Sequence, residues 1–571
     1  MENSHTKLTI LGGNNNNHIG ASAQLLEHTN EKGHITRIMI DLGSLLISEE
    51  RRNGHLVADA TKYLGYNPPK NQISQTLKNY HKSVGGQKSP QIEALFLTHM
   101  HEDHIGGIKL LLKAGYIFPP IYGSKETLSV LMRLLIEDGI TNLPDVYPIN
   151  DTLQISKDVS ITPFPVSHTT VGSLGYHILT KFNGSPDTGI LHLGDFNLSD
   201  IMIGNGYNEA LFQNFLNAFY VTHVLTDSTS TQNNTIKPLT FKKSVSNWSE
   251  LMQSTDKRII TAVISRSIQN MAPIIKAATQ SGRKVFIDGH AQRLIYDELQ
   301  KAGVLEDFSA TVFHHTDVIN ADLKQFLTTE QRKNQVIIFS GAFAEGFDEK
   351  TDNLSGLVRI SKRSLKSFLL DSSSLIALSQ RAIPVSDIYE NMKDMVQLLA
   401  EQNNGQIIQN KTHPSASLGD YPMMELQRTG HATLNETLTL LKNIKKHRLN
   451  SEDELTVIPL HGNINQLKQT QKCALVLNIN SALLSNNESI ILPQNTLIKT
   501  SDPSSKTNWL YFKNENGISN GSQIEVVKEN LNQSRYETVS FLNIPANFIS
   551  KHQNKTTLLN IMRSKLSRQM D

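Results

Sequence analysis

The chain of 571 residues is long enough for more than one domain of ordinary size. Its 38% apolar and 19% charged residues are typical of a globular protein and exclude a disordered chain. The net charge of +2 is nearly balanced, so binding to a polyanion requires a local basic patch. The single cysteine, Cys473, excludes a disulfide framework and a cysteine-based zinc site. The polar start is not that of a signal peptide, and no apolar run is long enough for a membrane helix, so we expect a cytoplasmic protein without membrane contact.

Short apolar segments with polar ends alternate with Gly- and Asn-rich turns from residue 8 to about residue 225. They predict buried strands, namely KLTILGG, RIMIDLGS, ALFLTHM, SITPFPVSH, GILHLGDF and VTHVLTDS. The segments IKLLLKAG and SKETLSVLMRLLIEDG are typical of helices. Ligands and catalytic groups of layered α/β proteins usually lie where strands end in loops, so we expect the functional residues at these polar ends.

A regular alternation of strands and helices follows and predicts a separate α/β domain over residues 228–411. Its predicted strands are RIITAVIS, KVFIDGH and NQVIIFSG, with SIQNMAPIIKAATQSG as a helix. We expect this domain to be inserted into a first domain formed by residues 1–227 and 412–492. Residues 493–571 would form a small C-terminal appendix, in which an apolar stripe at helical spacing indicates packing or oligomer contact (Leu558, Met562 and Leu566).

The stretch THMHEDHIGG follows a predicted strand and contains the pattern HxHxDH, formed by His99, His101, Asp103 and His104. In a turn directly after a strand, residues i and i+2 can bind one metal ion, while the Asp and His that follow face a second ion. Neutral imidazoles and carboxylates suit zinc, and also manganese or iron. A chance accumulation of histidines in a surface turn is the alternative, which the position between a strand and a helix disfavours.

A site for two metals needs further ligands, and two later strand ends offer them. FPVSHTT supplies His168, and LHLGDFN supplies Asp195. Each signal is weak by itself, because a histidine at a strand end usually makes ordinary hydrogen bonds and an aspartate after glycine is common in turns. Their order after the HxHxDH cluster makes both strong candidates. His177 and His192 lie within alternating strands, where a structural role is expected.

The order Asp41, HxHxDH, His168, Asp195 resembles the metallo-β-lactamase fold, an αββα sandwich with a dinuclear metal centre. The later segments resemble the β-CASP nucleases and, among them, the ribonuclease J group. These segments are LTDSTS, ISRSIQNM, GRKVFIDGH, FSGAFAEG, RTGHA and IPLHGNI. The resemblance covers roughly residues 8 to 475 and implies a metallo-β-lactamase αββα sandwich with an inserted β-CASP α/β domain.

This resemblance also implies the metals and their ligands. We expect two divalent ions, zinc in the first place, with manganese as the alternative. The implied ligands of the first ion are His99, His101 and His168, and those of the second are Asp103, His104 and His461. Asp195 would bridge the two ions and so belong to the catalytic set. Asp41 would orient ligands without binding metal.

His431 is the expected proton donor to the leaving oxygen, held charged and correctly turned by Asp227. Thr433-Leu-Asn-Glu436 is a capping box, so a helix should begin just after His431 and present free N–H groups to a phosphate. The predicted contacts to RNA or phosphate come from Arg266, Thr429 and Thr433. Other basic residues could contribute, with a solvated surface as the simpler role for each (Arg283, Arg359 and Arg363).

The resemblance implies a metal-dependent ribonuclease of RNA processing or decay, acting on single-stranded RNA as a homodimer or homotetramer. Its cleavage is expected to be endonucleolytic, and 5′-to-3′ exonuclease action stays open because Gln427 departs from the group's pattern near the 5′-phosphate pocket. A DNA-acting β-CASP nuclease is an alternative, although many of those have valine where this chain has His461. A catalytically inactive RNA-binding scaffold is another, but inactive relatives typically lose ligands. A small-molecule hydrolase of this fold would not explain the inserted domain.

Overall fold

The computed structural model of the chain describes most residues up to Ile498 and three short strands beyond it. The described ranges are 4–14, 20–45, 55–67, 88–183, 186–232, 239–264, 266–306, 308, 310–313, 332–344, 347, 354–364, 368, 370–380, 386–411, 417–427, 429–498, 509–512, 526–530 and 535–540. Within these ranges, no helix has the length and the apolar character needed to cross a membrane.

The first part of the chain supplies most strands of two facing sheets, and some strands of two smaller sheets. The strands are β1 (His5–Gly12), β2 (Ala23–Thr29), β3 (Ile35–Ile40), β4 (Ser44–Leu45), β5 (His55–Ala58), β6 (Gly65–Tyr66), β7 (Ala94–Phe96), β8 (Tyr116–Ile117), β9 (Ile121–Gly123), β10 (Val146–Pro148), β11 (Leu153–Gln154), β12 (Val159–Pro165), β13 (Leu174–Thr180), β14 (Thr188–His192) and β15 (His223–Asp227). Of these, β4, β5, β6 and β8 belong to the two smaller sheets. The helices are α1 (Glu102–Lys113), α2 (Lys125–Glu137) and α3 (Glu209–Ala218), with a short 3-10 helix at Thr61–Tyr63.

The middle of the chain alternates strands and helices, as predicted. Its helices are α4 (Phe241–Gln253), α5 (Ile268–Gln280), α6 (His290–Lys301), α7 (Gly356–Ser361) and α8 (Ser386–Asn403), with a 3-10 helix at Arg332–Asn334. Its strands are β16 (Arg258–Ala262), β17 (Lys284–Asp288), β18 (Thr311–Phe313), β19 (Gln335–Phe339), β20 (Ser374–Leu378), β21 (Ile407–Asn410) and β22 (Met423–Met424).

The last part returns to the first two sheets and then continues into a small separate sheet. Its elements are α9 (Leu434–His447), β23 (Thr456–Leu460), α10 (Ile464–Val476), β24 (Asn480–Ser481), β25 (Ser489–Leu492), β26 (Thr496–Ile498), β27 (Trp509–Phe512), β28 (Val526–Asn530) and β29 (Arg535–Ser540).

Two mixed sheets face each other in the first domain. Their strand orders are β10-β9-β7-β3-β2-β1-β25-β26 and β11-β12-β13-β14-β15-β23-β24. Buried apolar side chains from both sheets form one core, which includes Ile10 and Phe96 from the first sheet and Ile178 and Ile190 from the second. Helices cover the outer faces, with α1 and α2 on one side and α3, α9 and α10 on the other. This is the predicted αββα sandwich, and the fold class is confirmed.

A third sheet, of order β18-β17-β19-β16-β20-β21-β22, is parallel throughout. Its central strands are buried on both faces, as expected for a parallel sheet between helices. The chain enters it after β15 and leaves it before β23, and these two strands are parallel neighbours in the sandwich. The inserted domain is predicted to end at residue 411, whereas β22, at Met423–Met424, still belongs to the third sheet. The domain boundaries stay a prediction.

Residues after 492 add strands to two different sheets. β26 pairs with β25 at the edge of the sandwich. β27 pairs with β5 in a small sheet of order β29-β28-β27-β5-β4. The apolar stripe predicted near the C-terminus lies outside the described residues, as do residues 46–54 and 68–87.

Candidate active site

The carboxyl ends of strands from both sheets meet at one edge of the sandwich and carry polar side chains there. The strands and the residues that end or follow them are β3 with Asp41, β7 with His99, β12 with His168, β14 with Asp195, β15 with Asp227 and β23 with His461. Sites of layered α/β proteins lie at such strand ends. The structure thus brings together residues that lie up to about 420 positions apart in the sequence.

The HxHxDH stretch is half loop and half helix. His101 is the N-cap residue of α1, so Asp103 and His104 lie on the first helical turn, where the sequence had predicted only a turn. The backbone N–H groups of Ser22 and Leu42 donate to the carbonyl oxygens of Asp103 and His104, both at 2.8 Å. These hydrogen bonds fix the first turn of the helix against the loops after β1 and β3.

The first group of candidate ligands consists of His99, His101 and His168. His99 Nε2 lies 2.9 Å from His101 Nδ1, and His168 Nε2 lies 3.1 Å from the same His101 atom. His99 and His168 are buried, whereas His101 is partly exposed. The three nitrogen atoms therefore converge on one point below the surface.

The second group consists of Asp103, His104, Asp195 and His461. His461 Nε2 lies 3.2 Å from both His104 Nε2 and Asp103 Oδ2. Asp195 Oδ2 lies 3.3 Å from His104 Nε2 and 3.9 Å from His99 Nε2, so its carboxylate faces both groups. That oxygen is buried and makes no hydrogen bond of acceptable geometry within the described residues.

The hydrogen bonds of the outward-facing ring nitrogens determine which nitrogens carry protons. His168 Nδ1 donates to Gly430 O at 2.8 Å, and His104 Nδ1 donates to Asp41 Oδ2 at 2.7 Å. The Nε2 atoms of both rings then present lone pairs to the interior of the site.

His99 and His461 follow the same arrangement through threonine hydroxyl groups. Thr98 Oγ1 donates to Asp41 Oδ2 and lies 3.0 Å from His99 Nδ1, from which it can accept. Thr229 Oγ1 donates to His461 O and lies 2.8 Å from His461 Nδ1. Inward lone pairs at such separations repel each other unless a cation lies among them, so the residues present fit divalent metal ions at both groups.

The local electrostatics differ between the two groups. Burial, together with the neighbouring imidazoles, holds the pKa values of His99 and His101 well below the ordinary 6.5. Burial likewise lowers the pKa of His168 to about 4. The first group is therefore a set of neutral imidazoles at neutral pH, the form that binds metal.

The second group has an excess of negative charge. Burial opposes the charged form of His104, but Asp195 and Asp41 together raise its pKa well above 6.5. Burial opposes the charged form of His461 as well, and its pKa is raised chiefly by Asp195 and Asp103. Such a negative potential attracts cations, whether protons or metal ions.

His431 lies beside the second group and pairs with Asp227. Its Nδ1 donates to Asp227 Oδ2 at 2.8 Å and lies 3.7 Å from Asp195 Oδ2. Burial lowers the pKa of His431, but the Asp227 carboxylate outweighs burial and raises this pKa to about 9. The side chain is 22% exposed, so Nε2 of a charged imidazole can reach a molecule entering from solvent.

The three residues predicted to contact phosphate lie in different surroundings. Thr429 lies next to the site, where its Oγ1 contacts Ser230 Oγ and accepts from the N–H of His431. The capping box of Thr433 and Glu436 is confirmed, but it occupies the buried Thr433 hydroxyl and so argues against a phosphate contact there. Arg266 is paired with Glu102 at 2.6 Å, so its charge is already neutralised.

Arg283 and the histidines His177 and His192 hold parts of the protein together through hydrogen bonds. Arg283 is buried and donates to the carbonyl oxygens of Met252, Thr255 and Lys257 within the inserted domain, which corrects the suggestion of a phosphate contact. His177 Nε2 contacts Tyr220 O at 2.7 Å, and His192 Nε2 contacts Gln24 Oε1 at 3.0 Å. These two histidines hold strands in place, as expected.

Sequence reasoning missed the residues that orient the candidate ligands. Thr98 and Thr229 each hold an imidazole through Nδ1, and both occur inside motifs that were recognised, directly before His99 and two residues after Asp227. Asn14 accepts from the N–H of His461 at 3.0 Å and donates to the carbonyl oxygens of Pro459 and Leu484. No local signal identifies Asn14.

The αββα sandwich, with two groups of candidate metal ligands at one edge and an α/β domain inserted between β15 and β23, has the architecture of the metallo-β-lactamase fold. In agreement, residues 67–233 match the family described as "Beta-lactamase superfamily domain". Over part of its length the chain is similar to ribonucleases J. It is 29% identical to ribonuclease J 1 of Streptococcus pyogenes over 40% of this chain and 41% of the relative.

Two further relatives match over a larger part of the chain. Ribonuclease J2 of Bacillus subtilis is 23% identical over 68% of this chain and 62% of its own length. Ribonuclease J of Mycobacterium tuberculosis is 24% identical over 71% of this chain and 63% of its own length. The chain thus spans 41 to 63% of the length of these three relatives.

A solved structure supports the fold. A protein of unknown function from Enterococcus faecalis superimposes with a TM-score of 0.51 at 15% identity, covering 86% of this chain and 100% of the other. At this identity the likeness concerns the fold alone.

Proposed function

We propose that the protein is a metal-dependent ribonuclease that hydrolyses phosphodiester bonds of RNA. The observation that carries the proposal is the convergence of two ligand groups, which share the Asp195 carboxylate, beside the charged His431–Asp227 pair. Two divalent ions fit these groups, and the oxygen and imidazole donors suit zinc, with manganese as the alternative.

The inward-facing lone pairs of the imidazole nitrogens in the two groups support the following ligand roles. His99, His101 and His168 would hold one ion, and Asp103, His104 and His461 the other, with Asp195 between them. Bound there, the ions would supply an activated water molecule and offset the negative charge that develops on the phosphoryl oxygens. Asp41 would not bind metal: its carboxylate accepts a hydrogen bond from the Nδ1–H of His104 and fixes the ring orientation.

His431 supplies the proton that the leaving oxygen needs. With a pKa of about 9 the imidazole is charged at neutral pH, and the hydrogen bond from Nδ1 to Asp227 leaves the Nε2 proton free for transfer. After transfer, the neutral ring stays held by the same hydrogen bond and can be protonated again from solvent. Asp227 therefore positions and charges the donor without contacting the substrate.

The relatives favour RNA as the substrate. The curated proteins similar to this chain are ribonucleases by name, and this chain has His461 where many DNA-acting β-CASP nucleases have valine. We propose RNA processing or decay in the cytoplasm as the context. Endonucleolytic cleavage requires only the residues described above, whereas 5′-to-3′ exonuclease action would also require recognition of the 5′ phosphate.

The test combines metal analysis with cleavage assays on protein purified without chelator. We expect about two divalent ions per chain. End-labelled RNA with either a 5′ monophosphate or a 5′ triphosphate should be cleaved, with single-stranded DNA of the same sequence as the comparison substrate. His101→Ala should reduce metal content and abolish cleavage. A fully active His101→Ala protein would rule out the proposed function, and faster cleavage of the DNA would favour the DNA-acting alternative.

A further inference from the structure

A short segment that ends in the first turn of α5 connects the inserted domain to the sandwich at the site itself. We name residues 266–269 the bridging segment. Arg266 Nη1 donates to Met100 O at 2.9 Å, and Nη2 donates to Glu102 Oε2 at 2.6 Å. The N–H of Gln269 donates to Thr169 O at 3.0 Å. The bridging segment thus contacts both loops that carry the first group of ligands.

The two acceptors of Arg266 lie on either side of one ligand. Met100 precedes His101 and Glu102 follows it. The charged pair is mostly shielded from water, with side-chain exposures of 12% for Arg266 and 21% for Glu102. A short, charge-assisted hydrogen bond in such a place is strong, and together with the carbonyl contact it fixes the backbone around His101.

Glu102 is also held from the opposite side. Its second carboxylate oxygen, Oε1, accepts from Ser44 Oγ, at the start of β4, at 3.4 Å. A side chain at Gly106, one helical turn later, would overlap with this oxygen, so the glycine leaves the space that Glu102 occupies. The metal-binding loop is therefore clamped between the sandwich at Ser44 and the inserted domain at Arg266.

We propose that Arg266 is a positioning residue, which couples the inserted domain to the metal-binding loop by holding His101 in place, and does not bind RNA phosphate. Its guanidinium group already has a carboxylate and a carbonyl as partners, and binding a phosphate instead would require it to give up both contacts in a place that is mostly shielded from water. Any shift of the inserted domain then moves the backbone on both sides of His101. The proposal rests on the proposed function only in that the first group binds metal.

The test measures metal binding by Arg266→Met, with Arg283→Met as a matched control. Arg283 is also a buried arginine of the inserted domain that donates to carbonyl oxygens, but its side-chain acceptors among the described residues, Met252, Thr255 and Lys257, all belong to the inserted domain. The chain is freed of metal and titrated with Co²⁺, and both the affinity and the visible absorption spectrum are recorded. We expect Arg266→Met to weaken Co²⁺ binding about tenfold or more, as is usual when a residue that orients a ligand is lost. Arg283→Met should lower the free energy of unfolding and leave the Co²⁺ affinity unchanged.

Two further measurements separate the alternatives. Arg266→Lys keeps the charge but reaches only one acceptor, so its Co²⁺ affinity should lie between those of the wild type and Arg266→Met. With RNA, positioning predicts a fall in kcat with little change in KM. Wild-type Co²⁺ affinity in either folded Arg266 variant, or a raised KM with unchanged Co²⁺ affinity, would overturn the proposal. The Co²⁺ titration decides this even if the wild-type protein does not cleave RNA.

Discussion

Asp41 and His461 adopt left-handed backbone conformations, with φ angles of 56° and 55°. A non-glycine residue in this region costs roughly 1 kcal/mol or more and persists only where the surrounding structure imposes it. Here the Asp41 N–H donates to Phe96 O at 2.8 Å, and the His461 N–H donates to Asn14 Oδ1 at 3.0 Å. Part of the folding free energy is thus used to hold two side chains of the candidate site in fixed directions.

His431 can be distinguished from a metal ligand by a single substitution. His431 and Asp227 also lie within reach of Asp195 and His461, so a ligand role is geometrically open. As a proton donor, His431→Gln should keep the metal content of the wild type and reduce kcat about a hundredfold or more. Metal content and single-turnover cleavage are measured on the same preparation. Loss of metal from His431→Gln would instead make this residue a ligand.

The residues that sequence analysis identified and those that it missed differ in how far along the chain their interaction partners lie. HxHxDH was recognisable because its four side chains lie within six positions and follow a strand. Asn14 was not, because its role depends on the N–H of a residue 447 positions away. Arg266 was predicted to contact phosphate, and its hydrogen bond to Glu102 at 2.6 Å could not be foreseen, since a sequence does not show which residues the fold places side by side.

At the scale of elements, the predicted strands formed because an apolar run favours a buried strand, and the polar residues at its end show where the candidate site lies. Each of the segments predicted as strands, from KLTILGG to NQVIIFSG, contains a strand. The start of α1 was not predicted, because the motif contains no capping residue of the usual kind: His101 is the N-cap and makes no side-chain cap hydrogen bond. Hydrogen bonds from the N–H groups of Ser22 and Leu42 to carbonyl oxygens of the first turn hold the start of this helix in place.

The N-terminus of α9 links helix stability to the site. Thr433 caps this helix, and Glu436 closes the capping box while also accepting from the Leu198 N–H at 3.0 Å. Thr433→Ala should lower the free energy of unfolding by about 1 kcal/mol, the usual loss for a cap residue. Urea denaturation measures this, with Thr439→Ala, on the exposed face of the same helix, as the control. Equal stability of the Thr433 variant and the control would show that the box contributes nothing.

The strand β13 contains a histidine that should make stability depend on pH. Burial lowers the pKa of His177 from 6.5 to about 4, despite its hydrogen bond to Tyr220 O. The unfolded chain therefore takes up a proton first as pH falls below about 6.5, and the folded state loses stability from there down to pH 4. Between pH 7.5 and 5.5 this residue should account for a loss of about 1.4 kcal/mol.

His177→Gln tests this, because glutamine can still donate to Tyr220 O but does not titrate. The difference in the free energy of unfolding between wild type and variant is measured by urea denaturation at both pH values. We expect the wild type to lose its advantage over the variant by about 1.4 kcal/mol at the lower pH. A difference that stays constant with pH would show that His177 does not titrate in this range.

At the scale of the whole molecule, charge and access together would determine how the proposed RNA substrate is held. The candidate ligands are recessed, with Asp195 and His461 each at most 3% exposed, and the openings to solvent lie at Asp103 and His431. A single strand can bend a phosphate into such a recess, whereas a rigid duplex keeps its backbone outside. The net charge of +2 gives no global attraction, so contacts to phosphate must be local, sensitive to salt and nearly independent of sequence.

We therefore expect this protein to cleave single-stranded RNA faster than the same RNA annealed to its complement, and to bind it less tightly as salt rises from low to physiological concentration. With several phosphate contacts the affinity should fall at least tenfold over that range, because each contact releases condensed counterions. Cleavage of both forms and filter binding of the single strand are measured at 50 and about 200 mM salt. His431→Gln serves as a binding control, since it should bind RNA with the same salt dependence while cleaving slowly. Equal rates on both forms would mean that the backbone reaches the ligands without bending. Binding that is independent of salt would mean that RNA is held by contacts other than its phosphates.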